Sequence, residues 1–130
     1  MKTAQQVVGE VKPAITEVSI EQLREALNDH AIVLIDVREH DEYANGHIDR
    51  AVNIPRGVLE FRIHQHPNVA HHCDTEPALA ELANKPVYLI CASGGRSALS
   101  AEALQRMGFT QPRSVAGGMT AWKEAGYPTE

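Results

Sequence analysis

Short apolar runs alternate along the chain with segments whose apolar residues recur at helical spacing. Residues 31–35 form a continuous apolar run, and residues 86–90 form a second run that reads as buried. Such runs are typical of parallel strands covered by helices on both faces. Residues 15–18 alternate apolar and polar side chains, as an edge strand does. Residues 51–55 and 113–115 predict two further short strands.

Helical patterns fill the intervals between these runs. Thr3 is a suitable cap for a helix over residues 3–11, and Ser19 with Gln22 has the capping-box spacing that opens a helix. Further helices are predicted at residues 39–44, 77–83, 97–107 and 119–125. Strands that alternate with helices predict an α/β fold with a mainly parallel central sheet and helices on both faces.

The length of the chain suits one domain. We expect that domain over residues 15–130, preceded by an N-terminal helical extension over residues 1–14. The chain can bury a hydrophobic core, because 43% of the 130 residues are hydrophobic. Residues 56–75 are the least regular part of the sequence, and we expect them to form a partly helical excursion over the surface.

Charge and cysteine usage exclude several classes of protein. The chain has 12 Lys and Arg against 17 Asp and Glu, a net charge of -5, and no basic run, so we expect no nucleic-acid partner. No segment approaches a transmembrane helix and no signal peptide is recognisable, so we expect no membrane partner and a cytoplasmic location. Two cysteines are too few for a disulfide scaffold.

The most informative segment is the Cys91 loop, residues 91–97, with the sequence Cys-Ala-Ser-Gly-Gly-Arg-Ser. A predicted buried strand ends at Cys91, where open α/β sheets place their ligands. Gly94 and Gly95 allow successive N–H groups to point at one spot, and the helix that follows adds free N–H groups and the positive end of its dipole. This setting favours a thiolate, and Arg96 adds a positive charge at the rim. The loop therefore predicts a nucleophile suited to anionic substrates.

A structural cysteine is the plain alternative for Cys91. Free cysteines are often buried, and a strand followed by a helix needs a turn in any case. Two glycines and an arginine are nevertheless poor choices for simple packing. The composition of the loop therefore favours the chemical interpretation.

Several other motifs accompany the loop in a recognisable order. Together with Asp36-Val37-Arg38 and residues 43–48, 51–55 and 117–122, it resembles the rhodanese family over residues 16–128. The resemblance implies transfer of sulfane sulfur from a small anionic donor, such as thiosulfate or a persulfide, to a thiophilic acceptor. The acceptor would be cyanide, a small thiol or a sulfur-acceptor protein.

The resemblance also assigns roles within the Cys91 loop. Cys91 is implied to carry the sulfur as a persulfide, with no cofactor and no metal. The residues implied to bind the substrate or the outer sulfur are Ala92, Ser93, Gly94, Gly95, Arg96 and Ser97. Arg96 would favour a doubly charged donor over a neutral one.

Two other functions stay open. Tyrosine and Cdc25-type phosphatases and related arsenate reductases also have a cysteine loop that ends in arginine, but five residues lie between the two. Only four intervene between Cys91 and Arg96, so the cup suits a single sulfur atom better than a phosphoryl group. A non-catalytic binding module of the same fold is the second alternative. Such modules typically lose the cysteine, whereas Cys91 is present.

Further candidates lie outside the loop. Asp36 and Arg38 end the other buried strand, at the same predicted sheet edge as the cysteine, and are candidates to support the loop; a structural ion pair or helix cap is the favoured interpretation. His47 is a candidate base that we expect to bond local backbone instead. Arg56 and Arg62 are candidates to attract a donor or dock an acceptor.

Residues 64–74 are rich in metal-ligand types, namely His64, His66, His71, His72, Cys73 and Asp74. Their spacing lacks a Cys-x-x-Cys pair or a His-x-x-x-His on a clear helix, so we predict a solvated surface segment without a metal. Cys73 could instead resolve a persulfide on Cys91, and the sequence leaves the distance between the two open.

Overall fold

The computed structural model describes residues 1–130 and has a five-stranded sheet at its centre. The order across the sheet is β1-β5-β4-β2-β3, and every neighbouring pair is parallel. The strands are β1 (Thr16–Val18), β2 (Val33–Asp36), β3 (Val52–Asn53), β4 (Val87–Ile90) and β5 (Pro112–Val115). The predicted α/β class is confirmed, and β4 lies in the middle of the sheet.

Seven α-helices surround the sheet. They are α1 (Ala4–Val11), α2 (Ile20–Ala26), α3 (His40–Ala44), α4 (Leu59–Arg62), α5 (Thr75–Ala83), α6 (Gly95–Arg106) and α7 (Gly118–Glu124). Both predicted N-terminal signals are present, because Thr3 and Ser19 each form a full capping box. None of the helices has the length and apolar character needed to cross a lipid bilayer.

Helix α6 begins two residues earlier than its sequence pattern predicts. The prediction began the helix at Ser97, but the first turn already includes Gly95 and Arg96. Gly94 makes this early start possible, because it caps the helix with φ +106°, in the left-handed region that glycine adopts without strain. The Cys91 loop therefore contains the first turn of a 12-residue helix.

Side chains from the two buried strands alternate between the two faces of the sheet. Leu34 and Ile90 lie in a cluster with buried residues of α2 and α7. Val33, Ile35 and Leu89 lie on the opposite face, in a cluster with residues of α4, α5 and α6. Strands covered on both faces explain why the apolar runs are continuous.

The segment after β3 is irregular, as predicted. It contains 3-10 turns at Arg56–Val58, Ile63–Gln65 and Pro67–Val69 around the short helix α4. Leu59, Ile63 and Val69 insert fully into the core. The segment is therefore packed against the domain through its apolar residues, more closely than a solvated surface excursion would be.

Candidate functional site

Cys91 directly follows β4, at the carboxyl end of the middle strand. Its side chain is only 1% exposed. Two backbone N–H groups donate to its Sγ: Gly94 at 3.1 Å and Ser97 at 3.4 Å. The sulfur is therefore buried against main-chain donors as well as apolar neighbours, and those donors stabilise negative charge on it.

The carbonyl groups at the start of the loop accept hydrogen bonds from a helix that is distant in sequence. The first turn of α7 holds them: Met119 N–H donates to Cys91 O at 2.8 Å, and Thr120 N–H donates to Ala92 O at 2.9 Å. The N–H groups of Ala92 and Ser93 donate to no acceptor in the chain. The carbonyls of Cys91 and Ala92 are thus held by α7, while the N–H groups of Gly94 and Ser97 donate to the sulfur, as in an anion-binding nest.

Gly118 allows α7 to approach the loop closely. Its φ is +55°, and a Cβ at this position would lie 2.7 Å from Ala92 O and closer still to Cys91 O. The Gly117-Gly118 pair is readable in the sequence as a tight turn, but its contact with the Cys91 loop is not. This glycine is a supporting residue that sequence analysis missed.

Ser97 contacts the cysteine through its hydroxyl as well as its N–H. Its Oγ lies 3.5 Å from Cys91 Sγ, donates to Gly94 O at 3.2 Å and lies 2.8 Å from Ser114 Oγ. Ser97 and Ser114 are fully buried. Ser114 on β5 carried no signal in the sequence, because a serine in a short strand is unremarkable there.

Arg96, whose positive charge the sequence predicts at the rim of the loop, is paired with a carboxylate. Both of its terminal nitrogens donate to Glu42 on α3, at 2.7 and 2.9 Å. Glu42 raises the pKa of the Arg96 guanidinium, and the Arg96 hydrogen bond lowers the pKa of the Glu42 carboxyl to about 2. The pair is therefore ionised throughout the usual pH range and links α3 to the loop.

Asp36 and Arg38 form a buried ion pair with each other. Arg38 Nη2 donates to Asp36 Oδ2 at 2.8 Å and to Gly46 O at 2.8 Å, and Arg38 N–H donates to Asp36 Oδ1. The hydrogen bonds of the Asp36 carboxylate all come from Arg38, none from the Cys91 loop. This geometry agrees with the favoured structural interpretation and does not place either side chain on the sulfur.

The contacts of His47 and Trp122 are also those of residues that support the fold. His47 Nδ1 lies 3.0 Å from Tyr43 O, and its ring stacks on the Tyr43 ring with centroids 3.8 Å apart. Trp122 is 1% exposed in the core and donates to Pro128 O at 2.9 Å. The expected local backbone bond of His47 is present.

The histidine-rich segment divides into two parts. His66 is buried, whereas His71 and His72 face Glu81 on α5 with Nε2 to Oε1 distances of 3.5 and 3.0 Å. These three residues bring metal-ligand atoms within 4.8 Å of one another, and Glu81 was not among the predicted candidates. Lys85 also lies 3.6 Å from Glu81, so the carboxylate already has cationic and hydrogen-bonding partners. Cys73 is exposed and free.

A groove of about 550 Å³ lies between α1 and the Cys91 loop. Its lining residues include Val8 and Gly9 on one side and Ser93, Gly95 and Arg96 on the other. The N-terminal helix therefore forms one wall beside the loop. Arg56, a candidate for donor attraction, does not line this groove but a second cavity, with which the groove shares Leu99.

The fold and site together define a parallel α/β domain in which the middle strand delivers a cysteine to a nest of amides. Residues 19–125 match the model of the rhodanese-like domain. The chain belongs to the rhodanese-like domain family.

Relatives and solved structures agree with this assignment. The chain is 29% identical to the thiosulfate sulfurtransferase GlpE of Shewanella oneidensis over 107 residues, covering 82% of this chain and 91% of GlpE. It is 34% identical over 122 residues to the adenylyltransferase and sulfurtransferase uba4 of Pyricularia oryzae, covering 82% of this chain and 24% of uba4. The chain thus spans only part of several curated relatives, including 51% of YrkF of Bacillus subtilis.

A solved structure from Rhodopseudomonas palustris, RPA3614, covers the whole chain. Its TM-score is 0.79 at 29% identity, the match covers 96% of that chain, and its description suggests a possible tyrosine phosphatase. A rhodanese-related protein of Thermoplasma volcanium has a TM-score of 0.66 at 30% identity, covering 88% of this chain and 97% of that one. The relatives include proteins described as a thiosulfate sulfurtransferase and as a sulfurtransferase.

Proposed function

We propose that this protein is a sulfurtransferase that carries sulfane sulfur as a persulfide on Cys91. The donor is thiosulfate or a persulfide, and the acceptor is cyanide, a small thiol or the thiol of an acceptor protein. The observation that carries the proposal is the pair of N–H groups, from Gly94 and Ser97, that donate to the Cys91 sulfur. We place the reaction in the cytoplasm.

The reaction needs two displacements and no metal. The Cys91 thiolate attacks the outer sulfur of the donor; with thiosulfate, a new S–S bond forms, the S–S bond of the donor breaks, and sulfite leaves with the electron pair. The terminal sulfur of the resulting persulfide carries negative charge. The N–H groups of Ala92 and Ser93 and those of Gly95 and Arg96 at the start of α6 have no acceptor in the chain and are available to stabilise that charge. An acceptor nucleophile then takes the outer sulfur and regenerates the thiolate.

Phosphatase activity is the second candidate, because the description of RPA3614 suggests it for that protein. The Cys91 loop has four residues between cysteine and arginine, and Arg96 is already engaged by both oxygens of Glu42. A bound phosphoryl group would have to compete with that carboxylate. We therefore expect no hydrolysis of p-nitrophenyl phosphate at a rate that depends on Cys91.

The test of the proposal is the mass of the protein after incubation with thiosulfate. We expect a gain of one sulfur atom that cyanide removes as thiocyanate, and Cys91→Ser should never acquire it. Cys73→Ser is the matched control, because Cys73 is the other free thiol and is exposed. A Cys91→Ser variant that still gains and transfers sulfur would refute the assignment.

A further inference from the structure

The rim of the Cys91 loop has a positive charge that is already balanced. Arg96 and Glu42 form a bidentate pair between the first turn of α6 and α3. Their side chains are 37% and 34% exposed, so the pair is accessible to solvent, and Arg96 lines the groove beside the Cys91 loop. A bidentate pair also fixes the orientation of the guanidinium.

Other charged groups near the pair add no positive surplus. Glu39, the residue that precedes α3, also acts on Arg96 as a negative charge. Arg38 acts on Glu42, but its own charge is paired with Asp36. Lys12 lines the same groove as Arg96, but it lies 3.7 Å from Glu17. Glu42 and Glu39 thus oppose the positive charge of Arg96.

We propose that Glu42 determines the charge class of the sulfur donor, so that the site favours donors with one negative charge over doubly charged thiosulfate. This inference rests on the proposed function. Any anionic donor must approach a negatively charged thiolate, and a second negative charge is attracted by Arg96 but repelled by Glu42. Only the amides of the loop then stabilise that second charge. Organic persulfides and thiosulfonates avoid the penalty.

The transfer step is the same for each donor class. The Cys91 thiolate bonds to the outer sulfur, the S–S bond of the donor breaks, and the electron pair leaves on a thiolate, a sulfinate or, from thiosulfate, sulfite. Atoms and charge balance without an oxidant. The donors therefore differ mainly in the negative charge that they bring to the Arg96–Glu42 pair.

The test compares thiosulfate with methanethiosulfonate, which transfers the same sulfur but carries one charge less. Glu42→Gln keeps a hydrogen-bond acceptor for Arg96 and removes the negative charge. We expect it to raise the ratio of kcat/KM for thiosulfate to that for methanethiosulfonate by roughly three- to ten-fold at low ionic strength. Added salt should shrink this gain.

Three further variants isolate the charge. Glu102→Gln breaks an exposed pair with Arg106 on the same helix, at 2.9 Å, and should leave the donor ratio unchanged. Glu42→Asp retains the charge and should keep the ratio near the wild-type value. The double variant Glu42→Gln/Arg96→Gln removes one charge of each sign. Its donor ratio should therefore return to near the wild-type value.

The outcomes separate this inference from the proposed function. If wild-type Cys91 acquires sulfur but Glu42→Gln, folded by circular dichroism, changes both donors equally or neither, Glu42 is only structural and the inference is overturned. If neither donor loads Cys91 in the wild-type protein, the proposed function is itself wrong and the inference falls with it.

Discussion

At the scale of residues, the setting of Cys91 depends more on main-chain groups than on charged side chains. The N–H groups of Gly94 and Ser97 donate to its sulfur, whereas Arg96, the arginine of the loop, is paired with Glu42. Main-chain donors do not titrate, so their support for an anionic sulfur is independent of pH. Substitutions that alter the backbone path should therefore impair sulfur loading more than substitutions of exposed loop side chains.

Asp36 illustrates a residue that we expect to act on stability and not on chemistry. Asp36→Asn would leave Arg38, which is only 4% exposed, without its counter-charge. Breaking a buried pair in this way costs about 3–5 kcal/mol. We expect that loss in the free energy of unfolding by urea titration, with sulfur loading retained wherever the variant is still folded. Unchanged stability combined with lost loading would place Asp36 in the site after all.

At the scale of elements, the start of α7 shapes the loop that follows β4. Its N–H groups hold the carbonyls of Cys91 and Ala92, and Gly118 lets the two segments touch. The loop geometry is therefore a property of the contact between two elements that are distant in sequence.

Replacing Gly118 by alanine tests this contact. Gly126→Ala is the matched control, because Gly126 also has a positive φ, +76°, but a Cβ there would meet nothing within 4 Å. We expect the control to lose about 1 kcal/mol from backbone strain alone. Gly118→Ala should lose at least about 1–3 kcal/mol more, because overpacking forces the backbone to move, and should load sulfur at least ten-fold more slowly. Equal effects of the two substitutions on loading would contradict the role of α7.

At the scale of the whole molecule, the order of the strands brings the functional residues together. Because β4 lies between β5 and β2, its carboxyl end is bordered by the segments that follow those strands, and these lead into α7 and α3. The helix α7 supplies the contacts to the loop carbonyls, and α3 supplies Glu42. The site is thus assembled from three strand-to-helix connections at one edge of the sheet.

The stability of the whole domain should depend on pH through His66. Its side chain is 3% exposed, its Nε2 has no hydrogen-bond partner, and burial lowers its pKa. As the pH falls, His66 is protonated in the unfolded chain near its ordinary pKa of about 6.5, and in the folded protein only at a lower pH. The free energy of unfolding is therefore not reduced by His66 above that pH. Stability is lost as the pH falls from there towards the lowered pKa of the folded state.

His66→Asn isolates this contribution. The asparagine can still accept the Asn68 N–H bond that His66 Nδ1 accepts at 3.1 Å, but it does not titrate. Urea unfolding at a series of pH values should show a weaker loss of stability on acidification for this variant than for wild type. The exposed His30→Gln serves as the control and should keep the wild-type slope. Identical slopes for His66→Asn and wild type would exclude His66 as the titrating group.

The sequence alone determined the strands, the capped helices, the α/β class and the position of Cys91 after a buried strand. These features are encoded locally, since side-chain period, caps and glycines act over a few residues. The tertiary structure alone decided which groups meet: Glu42 with Arg96, 54 positions apart, and Gly118 with the Cys91 loop. Those pairings depend on distances between packed elements, which no local pattern records. For the same reason, the sequence predicted the positive charge of Arg96 at the rim but not the Glu42 carboxylate that balances it.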